Sequence, residues 1–331
     1  MTTHTIPTID LAPLRDGSCA GIANVGWQLK QLFAPIGFAY LANHPVSELL
    51  IESIFNEAKR FHALPLEAKM KIKHNDAFRG YMPNKSSQLK VSTEGSATKP
   101  NLVDSFVMMF EVDESHPDYK DRLYLAGPNQ WPEDLPGFQE IICHYRDAML
   151  KLSAQLIRAF SVSLGMTQND LDPLFADPTY FLRLQHYQGQ EASIDNNQFG
   201  IAPHTDAGFM TILSQDTVGG LEVKFSDGEW VSVPYVPNTF VLNAGAMLPR
   251  MTNDLIRAVP HRVINRSAQA RYSVPFFFDT NTHAMIEVLK ACITPERPAK
   301  YPPAMYGELL MDRIQGNYGV GKRQSDIKNQ E

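Results

Sequence analysis

Cysteine is scarce in this chain of 331 residues and gives no sign of a disulfide framework. The three cysteines are Cys19, Cys143 and Cys292, and none has the close spacing of a metal-binding or redox pair. Such isolated thiols are typical of proteins in a reducing compartment. A cytoplasmic protein without structural disulfides or a cysteine-bound zinc ion is therefore expected.

Long apolar runs and an excess of basic residues are also missing. No run of about 18 apolar residues occurs, and the first ten residues are polar rather than typical of a secretion signal. There are 30 Lys and Arg residues against 36 Asp and Glu residues, which gives a net charge of −6. A basic surface for nucleic-acid phosphates is not expected from this balance, and neither is a membrane partner.

The hydrophobic pattern changes its period part-way along the chain. Helical spacing marks residues 46–64, where Ser47 is the expected N-cap, and residues 137–164, which end before Gly165. Short β-rich runs then follow, with Ser226-Asp227-Gly228 as a hairpin loop. The predicted strands are residues 180–187, 209–214, 221–225, 230–233, 239–242, 261–264 and 272–278, and a short helix is expected near 305–314. This spacing predicts a β-sandwich or barrel framed by helices.

A metal site is predicted around Pro203-His204-Thr205-Asp206. Residues i and i+2 of an extended chain point to the same side, so His204 and Asp206 can reach one ion together. The candidate third ligand, His261, lies 55 residues after Asp206, which leaves room for several strands and a return beside the first. Two imidazoles and one carboxylate with open positions are typical of non-haem Fe(II) oxygenases.

An anion-binding pair follows ten residues after His261. Arg271 and Ser273 again stand at i and i+2, within the apolar run Arg-Tyr-Ser-Val-Pro-Phe-Phe-Phe. A guanidinium fork and a hydroxyl group on one face together bind a carboxylate. An arginine embedded in an apolar strand needs such an anion, so the sequence predicts a carboxylate clamp next to the metal.

These motifs together resemble the isopenicillin N synthase-like family of Fe(II)/2-oxoglutarate-dependent dioxygenases. The similarity covers most of the chain and includes residues 6–11, 37–44, 79–81, 182–187, 219–223 and 243–245. It implies a mainly β fold whose core is a double-stranded β-helix, or distorted jelly roll, with framing helices. It also implies that the catalytic Fe(II) is held by His204, Asp206 and His261. The cosubstrate 2-oxoglutarate would then bind at Arg271, Ser273 and Tyr187, and O₂ would be consumed.

The resemblance leads to an expected organisation and reaction. Residues 1–120 are expected to form a helix-rich region packed on the oxygenase core of residues 121–331, the two making one structural unit. The expected substrate is a small molecule, with compounds derived from amino acids or from secondary metabolism as candidates. It would be hydroxylated, desaturated or cyclised, with release of succinate and CO₂.

Three alternatives remain open at this point. An oxidase of the same family would use no 2-oxoglutarate and would bind a substrate carboxylate at the clamp. A zinc hydrolase could use the same three ligands, although no glutamate suited to act as a general base stands beside His204 or His261. A non-catalytic ligand-binding protein would have no need of both the ligands and the clamp.

Strand alternation also assigns directions to neighbours of the predicted site. Gln185 stands where many relatives carry Asn, and His186 is expected to face away from the site. Arg183 shares a strand face with Gln185 and Tyr187, which allows it to meet an acidic substrate. The polar segment of residues 76–100 is expected to be a lid, with Arg79 and Tyr81 closing over the substrate.

Overall fold

The computed structural model describes residues 4–88, 99–121, 123, 125–190 and 198–318, with side chains up to residue 315. Its helices are α1 (Cys19–Gln28), α2 (Glu48–His62), α3 (Leu66–Lys71), α4 (Pro117–Lys120), α5 (Phe138–Ser163), α6 (Met247–Met251) and α7 (Tyr306–Tyr318). Its strands are β1 (Thr8–Asp10), β2 (Phe38–Ala42), β3 (Gly80–Met82), β4 (Asp104–Met109), β5 (Thr179–Tyr187), β6 (Ile201–His204), β7 (Met210–Gln215), β8 (Leu221–Lys224), β9 (Trp230–Ser232), β10 (Thr239–Ala244), β11 (His261–Val263), β12 (Arg271–Asp279), β13 (Met285–Ile286) and β14 (Ala304–Met305).

Both long helices form where their periodic patterns predict them. The Ser47 hydroxyl accepts the Leu50 amide at the start of α2, and Pro65 follows shortly after its end. Along α5 the apolar residues at three- and four-residue spacing are buried against the rest of the protein. Gly165 follows α5 with φ of 80°, the left-handed conformation that commonly ends a helix.

Two sheets make up the core of the fold. The larger sheet has the strand order β1-β2-β10-β7-β12-β5-β4-β3, and the smaller has the order β6-β11-β8-β9. The pairing between β1 and β2 is parallel, and the other neighbours within these two sheets are antiparallel. A buried apolar cluster contains residues from both sheets, among them Tyr187, Leu213, Leu221 and Val263. The predicted mainly β class with framing helices is confirmed.

The larger sheet separates two environments. On one side, α1, α2 and α5 pack together, and the largest apolar cluster joins them to β4, β5, β7 and β12. On the other side lies the space between the two sheets, which contains the site described below. The sheet therefore presents alternate residues of β5 and β12 to the helices and to the site.

The strands of the first 120 residues are the main addition to the sequence prediction. Strands β1 to β4 extend the larger sheet at both of its edges, although this part of the sequence predicts mostly helices. In β4 all six residues are buried, and β2 has four consecutive buried residues. A strand covered on both faces lacks the alternation of apolar and polar residues by which strands are identified.

Candidate active site

Three predicted metal ligands come together at the mouth of the space between the sheets. His204 is the last residue of β6, Asp206 follows it in a turn, and His261 is the first residue of β11. The antiparallel pairing of β6 with β11 sets His261 directly opposite His204. Oδ1 of Asp206 is 3.6 Å from Nε2 of His204 and 3.7 Å from Nε2 of His261. The three side chains therefore meet around one point and could hold one metal ion.

Hydrogen bonds direct the ligand atoms of both imidazoles towards that point. Nδ1 of His204 is 2.8 Å from the carbonyl oxygen of Ala202, and Nδ1 of His261 is 3.4 Å from that of Val259. A carbonyl oxygen only accepts, so each Nδ1 carries the hydrogen. Each Nε2 therefore keeps a lone pair that faces Asp206, which is the tautomer that a metal ligand needs.

The Asp206 carboxylate is held by two further side chains. Its Oδ2 accepts the Thr211 hydroxyl at 2.5 Å and the Asn243 amide at 2.7 Å. Both donors come from neighbouring strands of the larger sheet, β7 and β10. They fix the rotation of the carboxyl group and leave Oδ1 for a metal, as the supporting hydrogen bonds of metal-binding carboxylates usually do.

The protonation states of the site suit metal binding. Burial by itself would raise the pKa of Asp206, but the two histidines and the Thr211 hydroxyl together hold that pKa well below its usual range. Burial, with the adjacent His204, lowers the pKa of His261 to about 4. At neutral pH the carboxyl group is thus ionised and His261 is neutral, and a metal would not have to displace a proton from either.

Arg271 and Ser273 form the predicted clamp on β12, next to the histidines. The register of β5 and β12 sets Tyr187 opposite Arg271 and Gln185 opposite Ser273. The Arg271 side chain is completely buried and donates from Nη1 to the Ser273 hydroxyl at 3.1 Å. Its guanidinium lies over the Tyr187 ring, 4.7 Å from the ring centre.

One donor of this guanidinium is left for a ligand. Among the described residues, Nε of Arg271 has no hydrogen-bond partner. A buried guanidinium without an anion is costly, so an organic acid bound between the sheets would complete it. The pocket that contains Arg271 and Ser273 also contains His204, Asp206 and His261, so a carboxylate at the clamp and a metal at the triad would share one cavity.

Gln185 connects the hydroxyl groups of this clamp. Its Oε1 accepts the Tyr187 hydroxyl at 2.9 Å and the Ser273 hydroxyl at 3.1 Å. Burial raises the pKa of Tyr187, whereas the nearby Arg271 opposes that rise, so the phenol stays protonated and remains a donor at neutral pH. The sequence assigned no role to Gln185, because many relatives carry Asn there; in the structure its side chain connects Tyr187 and Ser273.

A second and larger cavity begins at the metal triad and extends along the same face of β5 and β12. Its polar lining includes Arg183, Asp279 and Arg313, and its apolar lining includes Phe78 and Phe277. The Arg183 guanidinium lies between the two rings, 5.5 Å from the centre of Phe78 and 5.4 Å from that of Phe277. The inward direction considered for Arg183 is confirmed.

The C-terminal helix α7 forms another wall of this cavity. Leu310 and Ile314 line it together with Arg313. Nη2 of Arg313 donates to both the carbonyl and the hydroxyl oxygen of Thr205, each at 2.9 Å. Because Thr205 lies between two of the candidate metal ligands, α7 is tied directly to the metal-binding turn.

The expectation that Arg79 and Tyr81 close over the substrate is wrong. The Arg79 guanidinium is completely buried and donates to the carbonyl oxygens of Ala77 at 2.7 Å and of Leu125 and Phe110 at 2.5 Å. The Tyr81 hydroxyl donates to the Asp104 carboxylate. Of the predicted lid, residues 89–98 lie outside the described residues, and the neighbours Phe78 and Met82 line the cavity instead.

His186 faces the helices, as strand alternation predicts. Its Nδ1 is 2.9 Å from Asp104, which also lies 3.0 Å from Nδ1 of His62. The other ring nitrogen of His62 is 2.9 Å from the carbonyl oxygen of Leu184. His62, Asp104 and His186 have metal-ligand spacing, but these hydrogen bonds already occupy both nitrogens of His62. The cluster therefore ties α2 to the back of β5.

Sequence reasoning missed four residues of the site: Thr211, Asn243, Asp279 and Arg313. Asn243 belongs to the Asn-Ala-Gly segment of the family resemblance, which carried no role for it. Asp279 follows Phe277 at i+2, so the alternation along β12 could have placed it on the inner face. Arg313 had no signal in the sequence, because its contact with Thr205 spans 108 residues.

Comparison with known proteins identifies the class to which this fold and site belong. A sequence model of the 2OG-Fe(II) oxygenase superfamily matches residues 178–280, and one for the N-terminal region of a non-haem dioxygenase in morphine synthesis matches residues 6–134. Crystal structures of a full-length Neurospora crassa protein with alpha-KG (TM-score 0.82, 28% identity, 93% of this chain and 95% of that chain) and of JOX2 with 2OG, Fe and JA (TM-score 0.75, 26% identity, 97% and 88%) are similar in fold.

Two curated relatives narrow the assignment. The 2-oxoglutarate-Fe(II) type oxidoreductase hxnY of Emericella nidulans is 33% identical, with 95% of this chain and 90% of that protein covered. Homoarginine-6-hydroxylase 2-ODD-C23.1 of Arabidopsis thaliana is 32% identical, with 96% and 98% covered. This chain therefore belongs to the 2-oxoglutarate–Fe(II) oxygenase family and is a dioxygenase that depends on Fe(II) and 2-oxoglutarate. Among its described residues no helix is both long and apolar enough to cross a membrane.

Proposed function

We propose that His204, Asp206 and His261 bind the catalytic Fe(II), and that Arg271, Ser273 and Tyr187 bind the distal carboxylate of 2-oxoglutarate. The observation that carries this proposal is the shared cavity of the three converging ligand atoms and the buried Arg271 with its open donor. The donor set fits Fe(II), since neutral imidazoles and a carboxylate are the ligands of non-haem iron oxygenases. When bound, Fe(II) and 2-oxoglutarate would, with O₂ as the oxidant, supply oxidation of a C–H bond with release of succinate and CO₂.

The protein's own residues position and protect this chemistry. Thr211 and Asn243 orient the Asp206 carboxylate, and the carbonyl groups behind the histidines fix their tautomers. Gln185 orders the hydroxyl groups that face the cosubstrate. Phe78 and Phe277, with the face of α7, surround the substrate cavity with apolar groups and limit the access of water.

The substrate is a small molecule that carries an acidic group. Small-molecule ligands are found among similar proteins: one relative is named homoarginine-6-hydroxylase, and a Neurospora crassa protein was crystallised with alpha-KG and thymine. In this chain the support for an acid is Arg183, whose guanidinium lines the cavity between two aromatic rings. Hydroxylation, desaturation or ring closure at a carbon held near the triad would all use this arrangement.

The clamp itself has a second candidate ligand, because the carboxylate of a substrate would satisfy Arg271 as well as that of 2-oxoglutarate. The two are separated by product analysis. The protein, with Fe(II), 2-oxoglutarate and a panel of acidic metabolites under O₂, should form succinate in proportion to an oxidised product. Oxidised product with no succinate would assign the clamp to the substrate carboxylate. No oxidation of any compound, with no Fe(II) bound, would refute the assignment of the triad.

The predicted division at residue 120 and the cytoplasmic location are part of the same proposal. The first 120 residues contribute β1 to β4 to the larger sheet, which supports one structural unit rather than two independent domains. Cys19, Cys143 and Cys292 are free thiols, as expected of a protein from a reducing compartment. The net charge of −6 supports a small-molecule enzyme without a nucleic-acid partner.

A further inference from the structure

Asp279 is a buried acid that lines the substrate cavity. It is the last residue of β12 and lies on the same strand face as Arg271, Ser273 and Phe277. Asp279 is only 2% exposed. The iron-binding and cosubstrate roles proposed above do not use it.

The Asp279 carboxyl group contacts uncharged hydrogen-bond donors, although Arg183 and Arg313 line the same cavity. One carboxylate oxygen, Oδ1, accepts the Phe209 backbone amide, and the Tyr306 hydroxyl is the other polar group beside it. Among the described residues, Asp279 forms no ion pair within 4.0 Å. Burial, with the nearby negative charge of Asp206, raises the pKa of Asp279 to about 7, although the Phe209 amide and the Tyr306 hydroxyl oppose that rise.

The carboxyl group of Asp279 packs directly against the backbone of Gly208. A side chain at Gly208 would overlap the carboxyl group of Asp279, and the amide of Met247 donates to the carbonyl oxygen of Gly208 at 2.9 Å. The carboxyl group is therefore fixed in position while it faces the cavity. A fixed, buried and uncompensated acid in a ligand cavity is a candidate for binding a cation on the ligand.

We propose that Asp279 binds a cationic side-chain group of the substrate, an ammonium or a guanidinium at the end remote from the substrate's carboxylate. This inference rests on the proposed function and adds a second charge to the substrate. Arg183 binds the anionic end and Asp279 binds the cationic end, so the substrate is a zwitterion such as a basic amino acid or a compound derived from one.

The spacing of the two charged residues fits such a molecule. Gln185 pairs with Ser273 and Leu182 with Phe276, so Arg183 lies opposite Pro275 in the register of the two strands. From Pro275 to Asp279 the strand advances about 14 Å at roughly 3.4 Å per residue, and the Arg183 side chain shortens that span. Phe277 lies between the two positions on β12 with the Arg183 guanidinium over its ring, and Leu310 and Ile314 of α7 add apolar lining to the same cavity.

The test compares ligands that differ in one charge. L-homoarginine and L-homocitrulline form one pair, and L-lysine and L-norleucine form the other. Their dissociation constants would be measured by calorimetry without O₂, on the protein loaded with Fe(II) and 2-oxoglutarate. The variant Asp279→Asn removes the negative charge and keeps an oxygen that accepts the Phe209 amide, so it should fold. Glu308→Gln, on the exposed side of α7, is the matched control.

The expected result is that, in at least one pair, the ligand with the cationic side chain binds the parent tenfold or more tightly than its partner with an uncharged side chain. Asp279→Asn should abolish that preference and Glu308→Gln should keep it. The inference is overturned if no cationic member is preferred, or if Asp279→Asn keeps the preference. The charge-transfer absorption of 2-oxoglutarate on Fe(II), recorded in the same samples, separates the two proposals. If the absorption is present but no charge preference is found, only the role of Asp279 is rejected. If the absorption is absent, the proposed function is rejected.

Discussion

Replacement of Arg271 by lysine is expected to weaken the binding of 2-oxoglutarate far more than conservation of charge suggests. Lysine is a point charge and cannot form the two-pronged contact of a guanidinium. The substitution would also remove the hydrogen bond from the Arg271 guanidinium to the Ser273 hydroxyl and its stacking over the Tyr187 ring. Because Arg271 is completely buried, water cannot replace these contacts. Loss of a buried charge-assisted contact costs about 2–5 kcal/mol, which is roughly a 30- to several-thousand-fold weaker dissociation constant.

The assay is an anaerobic titration of the Fe(II)-loaded protein with 2-oxoglutarate, followed by the charge-transfer absorption of the complex. The matched control is Arg262→Lys on β11, whose guanidinium pairs with Glu222 and lies over the Trp230 ring outside the cavity. This control should keep the parent's dissociation constant. An unchanged constant in Arg271→Lys, with a normal circular dichroism spectrum, would show that Arg271 does not bind the cosubstrate and would assign the clamp to another carboxylate.

Three further outcomes are expected. Thr211→Val should weaken Fe(II) binding about 10- to 100-fold by equilibrium dialysis, since supporting hydrogen bonds have that effect on metal sites, and Asp206→Ala should weaken it further; parent-like affinity in both would exclude the site. Asp279→Asn should unfold at higher urea than the parent at pH 8 and not at pH 4. Because the pKa of Asp279 is raised in the folded protein, its protonation stabilises the fold at low pH. This contribution to the free energy of unfolding, about 4 kcal/mol, is lost as the pH rises from 3.8 through about 7. Equal urea curves for parent and variant at pH 8 would refute this reasoning. Arg79→Ala should lower the free energy of unfolding by about 3 kcal/mol, because three carbonyl oxygens lose a charged donor. A normal stability with a raised KM would instead indicate that Arg79 contacts the substrate.

The sequence by itself determined the parts of the site that follow from one strand. Arg271 and Ser273 share a face of β12 because alternate residues of an extended chain point the same way. The same spacing predicted that His204 and Asp206 act together, and they do, although β6 ends at His204 and Asp206 lies beyond the strand. The seven predicted strands after residue 179 and the two long helices also follow from local spacing, and the structure has them within a few residues of the predicted bounds, whereas the short strands β6, β13 and β14 were not predicted. These relations are local, so no knowledge of distant contacts is needed to find them.

The tertiary structure decided which of these segments meet. The pairing of β6 with β11 brings His261 to His204, and the position of α7 brings Arg313 to Thr205. It also turned Arg79 away from the cavity. Strands β2 and β4 were not predicted, because both of their faces are buried and their sequences lack the alternation of apolar and polar residues. Strand order and register are set by the packing of the whole core, and a slip of one residue would turn every side chain of a strand to its other face.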